Sequence, residues 1–211
     1  MKKALFLIVI SLVFLYSCSL PKINTADFEG KFVYMIHSNA NTPDSSDSIN
    51  YQVVYAQNNM LRIESYTPIG KQIYIKHIPK NRAYILMDLG FQKVAIQTIP
   101  DTTLDDHRYK FSFAPGKRDF ANIISNNIKV KDNEYDTTFI MNYYKDISPK
   151  YSTAIKGIPG LPVNYYLYVE GIWVNYQLVS LEKKALNHDL FGIPSEYKIV
   201  SLDEFIEMIK D

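Results

Sequence analysis

The sequence predicts a mainly β chain, in which a strongly curved antiparallel sheet forms a half-open β-barrel and a C-terminal helix completes the domain. Three observations predict it. From residue 28 onward, short segments alternate apolar and polar residues, with turn formers about every 8 to 12 residues. Tyr contributes 17 residues and Phe 11, and flat aromatic side chains suit a pleated surface. About ten or eleven strands follow one another, more than an open twisted sheet holds without curling or closing.

The chain begins differently. Lys2 and Lys3 are followed by Ala4 to Leu15, apolar throughout except for Ser11. A membrane-spanning helix needs about 20 apolar residues, so this shorter run reads as the hydrophobic part of a signal peptide. It ends in Leu15-Tyr16-Ser17-Cys18, which resembles the lipobox of bacterial lipoproteins. The resemblance implies cleavage between Ser17 and Cys18 and lipidation of Cys18. Each buried acyl methylene contributes about 0.8 kcal/mol, so several chains anchor firmly. The expected organisation is a signal peptide over 1–17, a tether over 18–27 and a single β-rich domain over 28–211. The expected place is the bacterial envelope, lipid-anchored in the outer membrane and facing the periplasm.

Within the domain, Phe28 to Ser38 reads as a strand. The run Asn39 to Ser48 is dense in turn formers. Ile49 to Gln57 and Met60 to Tyr66 flank a turn at Asn58-Asn59, where Asn tolerates positive φ. Pro68-Ile69-Gly70 leads into Lys71 to Ile78, Lys80-Asn81 into Arg82 to Leu89, and Gly90 into Phe91 to Ile99. Tyr84 to Met87 is apolar throughout, which predicts a central strand covered on both faces. Tyr109 to Ala114 alternates, Pro115-Gly116 predicts a turn, and Lys117 to Asn127 fits a short helix or an irregular strand. Thr137 to Lys145 is a strand with Phe139, Met141 and Tyr143 on one side. Pro162 to Glu170 and Ile172 to Lys183 form a hairpin turning at Glu170-Gly171. Its second strand sends Ile172, Val174, Tyr176 and Leu178 one way and Trp173, Asn175, Gln177 and Val179 the other. Ser201 to Glu204 is a capping box opening a helix through Ile209, with Leu202, Phe205, Ile206 and Ile209 on one stripe. No βαβ rhythm appears, which argues against a parallel sheet.

The residues exclude several chemistries. Lys and Arg number 23 against 22 acidic residues, so no strong electrostatic claim on nucleic acid arises. Cys18 is the single cysteine, which excludes an internal disulfide and a cysteine zinc site. His37, His77, His107 and His188 are scattered, without metal-ligand spacing. Asp105-Asp106-His107 is read as a solvated loop, since adjacent residues do not readily converge on one ion. No nucleophile elbow, P-loop or dinucleotide fingerprint occurs, so no enzyme, metal or cofactor is expected. The many tyrosines are read as β formers rather than as a stacking platform.

Two sets of segments resemble known families. FEGKF, YQVVYAQNNMLRIES and GKQIYIKHIPKNRAYILM resemble the succession of strands in the LolA/LolB lipoprotein-localisation superfamily. KGIPGLPVNYYLY and LEKKALNHDLFGIPSEYKIVS resemble lipoproteins related to the GLPGLI family. There a Gly-x-Pro-Gly-x-Pro turn feeds a long hairpin, and a Phe-x-Ile-Pro-x-x-Tyr segment closes the domain. The matching residues are Gly157, Pro159, Gly160 and Pro162, then Phe191, Ile193, Pro194 and Tyr197. Gly frees φ and Pro fixes it, so the first set also reads as a purely structural turn. The resemblance implies a LolA-like curved sheet in an envelope lipoprotein.

The expected function is to hold a hydrophobic ligand, an acyl chain or lipid-like molecule, on the concave face, lined by Met87, Phe111, Phe113, Trp173 and Tyr176. The alternative is a non-catalytic envelope interaction or assembly protein whose sheet encloses a filled core. An apolar cavity would favour the first and a filled face the second.

Overall fold

In the computed structural model, residues 27–38, 50–67, 70–80, 82–99, 107–152 and 154–210 are described. Ser17, Cys18, the tether up to residue 26 and Asp105-Asp106 lie outside them. Alternation of apolar and polar side chains produces twelve strands: β1 Glu29–Ser38, β2 Asn50–Gln57, β3 Met60–Thr67, β4 Gly70–His77, β5 Arg82–Asp88, β6 Lys93–Thr98, β7 Tyr109–Phe120, β8 Ile123–Asp132, β9 Thr137–Tyr144, β10 Leu161–Val169, β11 Ile172–Lys183 and β12 Lys198–Val200. They form one sheet in the order β12-β6-β5-β4-β3-β2-β1-β11-β10-β9-β8-β7.

The chain is therefore mainly β, as expected, and the sheet is open, with β12 and β7 at its edges. It curls at one end. β7 comes within 8 Å of β11, Cα to Cα, although three strands lie between them; a flat sheet would hold them about 19 Å apart. This curl is local, and the described residues do not close into a barrel.

The tight turns follow the backbone preferences of their residues. Glu170 and Gly171 sit at φ 49° and 89°, which suits the right-handed twist of the strands they join. Ala121 and Asn122 do the same at φ 53° and 62°. That second hairpin corrects the sequence reading. Pro115-Gly116 is not a turn between elements, while Lys117 to Asn127 takes the irregular-strand alternative, broken by the turn at Ala121-Asn122. β7 continues through the pair as a bulge, with Phe113 opposite Ile128 and Lys117 opposite Asn126. Proline is tolerated there because β7 is an edge strand with one unpaired side.

A second correction concerns β12, a three-residue strand that pairs in parallel with β6, the one parallel pair among the described strands. As expected, β5 is covered on both faces, though it lies third from an edge. Its Tyr84 and Leu86 meet Ile73, Ile75 and Ala95 on one face. Ile85 and Met87 meet Val94, Ile96 and Val200 on the other.

Helix α1 (Leu202–Met208) carries the expected capping box: the Ser201 Oγ accepts from Glu204 N–H at 3.1 Å, and Glu204 Oε2 accepts from Ser201 N–H at 2.6 Å. Its apolar stripe docks only in part. Phe205 and Met208 pack on the sheet, whereas Leu202, Ile206 and Ile209 are exposed. A seven-residue helix resting on the short β6–β12 edge has room for one contact line.

The main core lies on what we call the inner face. Phe32, Val54 and Leu61 share it with Tyr165 and Leu178. The connection between β9 and β10 packs its apolar side chains into this face. Its Ile147, Tyr151, Ile155 and Ile158 are each at most 4% exposed. The Tyr151 hydroxyl accepts from Phe28 N–H at 2.8 Å and donates to Asn58 O at 2.7 Å. At the base, Leu161 N–H donates to Ile147 O at 2.9 Å.

Candidate functional site

The five side chains predicted to line one concave surface do not share one. Trp173 and Tyr176 point to opposite faces of β11, as their spacing requires. Tyr176 is half-buried in the inner core, stacked on Tyr165 at 5.0 Å. Met87 belongs to the group beneath α1. Phe111 packs against the core, while Phe113 is 76% exposed. The Gly-Pro motif has a visible structural role. A Cβ at Gly160 would lie 2.3 Å from Tyr144 O, and one at Gly157, which sits at φ +90°, would lie 2.7 Å from the Phe111 ring. The carbonyl of Pro162 accepts the buried Tyr34 hydroxyl at 2.8 Å, and burial pushes that phenol far above its ordinary pKa.

On the outer face, a strap formed by residues 184–193 crosses β1 to β5. Register places Glu29 beside Gln57, and Arg62 beside Ile75, which faces Tyr84. The strap is fastened to this row. Glu29 Oε1 accepts from Leu186 N–H at 2.6 Å and from Gln57 Nε2 at 2.9 Å. Gln57 Nε2 also donates to Leu186 O at 3.0 Å. Arg62 Nη1 donates to Leu190 O at 2.9 Å. The 3-10 turn His188–Phe191 is capped by the Asn187 side chain, which accepts from Asp189 N–H, and buries Phe191.

Arg62 also pairs with Glu64 at 2.8 Å, and Lys71 holds the other carboxylate oxygen at 2.8 Å. Burial alone would push Glu64 up; the hydrogen bonds from Lys71 and Arg62 outweigh it and hold the carboxyl below its usual range.

Beyond Phe191, the strap leaves a recess of about 200 Å³ against β4 and β5. Its floor is apolar: Ile75, Tyr84, Phe191 and Ile193. Its rim is basic: His77, Lys80 and Arg82, with Gly192 opposite. Burial, and then the charges of Lys80, Arg82 and His188, push the His77 imidazole below its ordinary pKa. Sequence reading took His77 and His188 as scattered. The signal was present in His77-x-x-Lys80-x-Arg82, a basic turn, but the strap that makes it concave comes from about 110 residues later.

The β9–β11 end of the sheet gathers aromatic rings instead. Phe139 stacks on Tyr166 at 4.6 Å, and Trp173 meets Phe139, Tyr135 and Tyr168 at 4.7, 5.7 and 5.2 Å. A ladder of side-chain amides also crosses four strands here: Asn175 to Asn164 at 3.0 Å, Asn164 to Asn142 at 3.2 Å, and Asn142 to Asn127 at 2.6 Å. Among the described residues, no group of three His, Cys, Asp or Glu is placed to hold a metal, and no helix is long and apolar enough to cross a membrane.

No family model matches the chain, and no curated protein matches it. Among solved structures it is similar to PNGF-II in two crystal forms. The C2 form gives a TM-score of 0.53 at 13% identity, covering 88% of this chain and 33% of PNGF-II. The P21 form gives 0.51 at 11% identity, covering 87% and 34%. This chain spans about a third of PNGF-II's length, and the likeness is one of fold.

Proposed function

We propose that the chain is a non-catalytic interaction protein of the bacterial envelope, anchored through lipid on Cys18, with its inner face serving as core. The observation that carries this reading is the β9–β10 connection. Ile147, Tyr151, Ile155 and Ile158 occupy the face on which an acyl chain would otherwise lie. In this reading the curled end of the sheet is a half-open barrel, LolA-like in outline, whose interior the chain fills with its own side chains. The anchor rests on Leu15-Tyr16-Ser17-Cys18 at the end of the apolar run. Partners would then meet the outer surface and the sheet rim.

Titrating palmitate or a lysophospholipid into the purified full chain tests the filled core. A ligand that binds only the folded state must raise the melting temperature. We expect no rise; a saturable rise overturns the reading and restores the ligand carrier. The anchor is tested by metabolic labelling with a palmitate analogue. Cys18→Ala removes the label, and equal labelling of both chains refutes lipidation at Cys18.

A further inference from the structure

We propose that the recess between β4, β5 and the strap is a binding site for a phosphate monoester carried on a small apolar or planar body. The inference goes beyond the interaction reading, since neither the anchor nor the filled core enters it. It rests on how charge and shape are arranged. His77, Lys80 and Arg82 come from one turn and its two flanking strands, and all three line the same opening. Neither Lys80 nor Arg82 has an ion pair among the described residues, and no described carboxylate lines the recess. Elsewhere in the described residues cations that line up with carboxylates are neutralised: Arg62 and Lys71 share Glu64, and Arg108 holds Asp132 and Glu134. Unpaired like charges gathered around a concavity repel one another and attract an anion.

The charge count selects the anion. Lys80 and Arg82 supply two fixed positive charges, and His77 presents its imidazole beside them. A phosphate monoester carries about −1.5 to −2 at neutral pH, matching the two fixed charges, whereas one carboxylate leaves an excess. The Arg82 guanidinium is suited to two phosphate oxygens at once. The floor selects the rest of the ligand: Ile75, Tyr84, Phe191 and Ile193 give an apolar surface below a charged rim. A volume of about 200 Å³, below the range usual for drug-sized ligands, suits a phosphate and one ring.

Phenyl phosphate is the probe, titrated calorimetrically into the full chain and its variants Lys80→Ala, Arg82→Ala and Lys129→Ala. Lys80 and Arg82 are exposed, so their removal leaves the fold intact, which a thermal melt checks. Each should weaken binding roughly tenfold or more, as expected when a charged hydrogen bond is lost. Lys129→Ala, on β8 at the far end of the sheet, should leave it unchanged. Inorganic phosphate and benzoate should bind more weakly, the first lacking the floor contact and the second lacking charge. Vesicles of phosphatidylcholine containing phosphatidic acid separate a lipid headgroup from a soluble ester. Binding of either source that is lost in both pocket variants supports the proposal. Binding of neither, binding indifferent to the two substitutions, or equal affinity for inorganic phosphate overturns it.

Discussion

Two segments outside the sheet cover its two faces, and they do so by different physics. The β9–β10 connection is pressed into the inner face by apolar side chains, with the Tyr151 hydroxyl as its polar link to Phe28 and Asn58. The strap on the outer face is fastened by polar contacts to Glu29, Gln57 and Arg62 and buries one large residue, Phe191. Close packing holds the first against the sheet. Polar fastening sets the second at a fixed height without filling the space next to it, and the recess of about 200 Å³ remains there. A segment that must stabilise is built from apolar knobs; one that must leave an opening is built from clamps.

The comparison breaks first at Ile158, which is 0% exposed. Ile158→Ala should cost about 2–5 kcal/mol by the transfer and cavity terms, read as a lower midpoint in urea at unchanged slope. A loss below about 1 kcal/mol would mean that the connection is not core. Tyr151→Phe keeps the ring and removes the hydroxyl, leaving Phe28 N–H and Asn58 O without that partner. Such orphaned groups cost about 1–3 kcal/mol each, and chemical denaturation separates this from the ring's packing.

Glu64 sharpens the comparison from the clamp side, because it orients Arg62, which holds the strap at Leu190. Its folded pKa lies below its unfolded one, so the unfolded chain binds the proton more readily. The ion pairs therefore contribute fully above the ordinary carboxylate range, and the contribution fades as pH falls through the lowered folded value. Glu64→Gln should flatten that acid limb in melts recorded as a function of pH. A limb that stays as steep in the variant removes Glu64 from the clamp. The smallest effect is expected at the helix. Ser201→Ala should cost about 0.5–2 kcal/mol, and Phe205→Ala more, since Phe205 docks while the cap is exposed. The reverse order would make α1 a loose tail.

How much of this was legible in the sequence depends on the distance over which the cause acts. Hairpins were legible because Asn58-Asn59 and Glu170-Gly171 state their own turns. The capping box was legible for the same reason: Ser201 and Glu204 are three residues apart. Tyr84 to Met87 announced cover on both faces, but not that the strap would supply one cover and α1 the other. Pro115-Gly116 misled because its meaning depends on sheet position: a proline that ends a central strand merely bulges an edge. The recess was invisible because His77 to Arg82 becomes concave only under residues 191–193. The ring group around Trp173 draws on three strands and a turn, so composition showed the tyrosines and not their meeting place.

The open sheet has a consequence at its two ends. A row of unpaired backbone groups is a template on which another chain's strand can add, and repeated addition makes fibres. β7 defends its row with Pro115, which has no amide hydrogen to offer, with a bulge that breaks the repeat between Phe113 and Lys117, and with the exposed charges Lys117, Arg118 and Asp119. β12 defends its own by being three residues long. Replacing Pro115-Gly116 by two β-branched residues would straighten β7 and give it a longer sticky margin, so the irregularity that masks this strand's continuation in the sequence also guards the protein against polymerising.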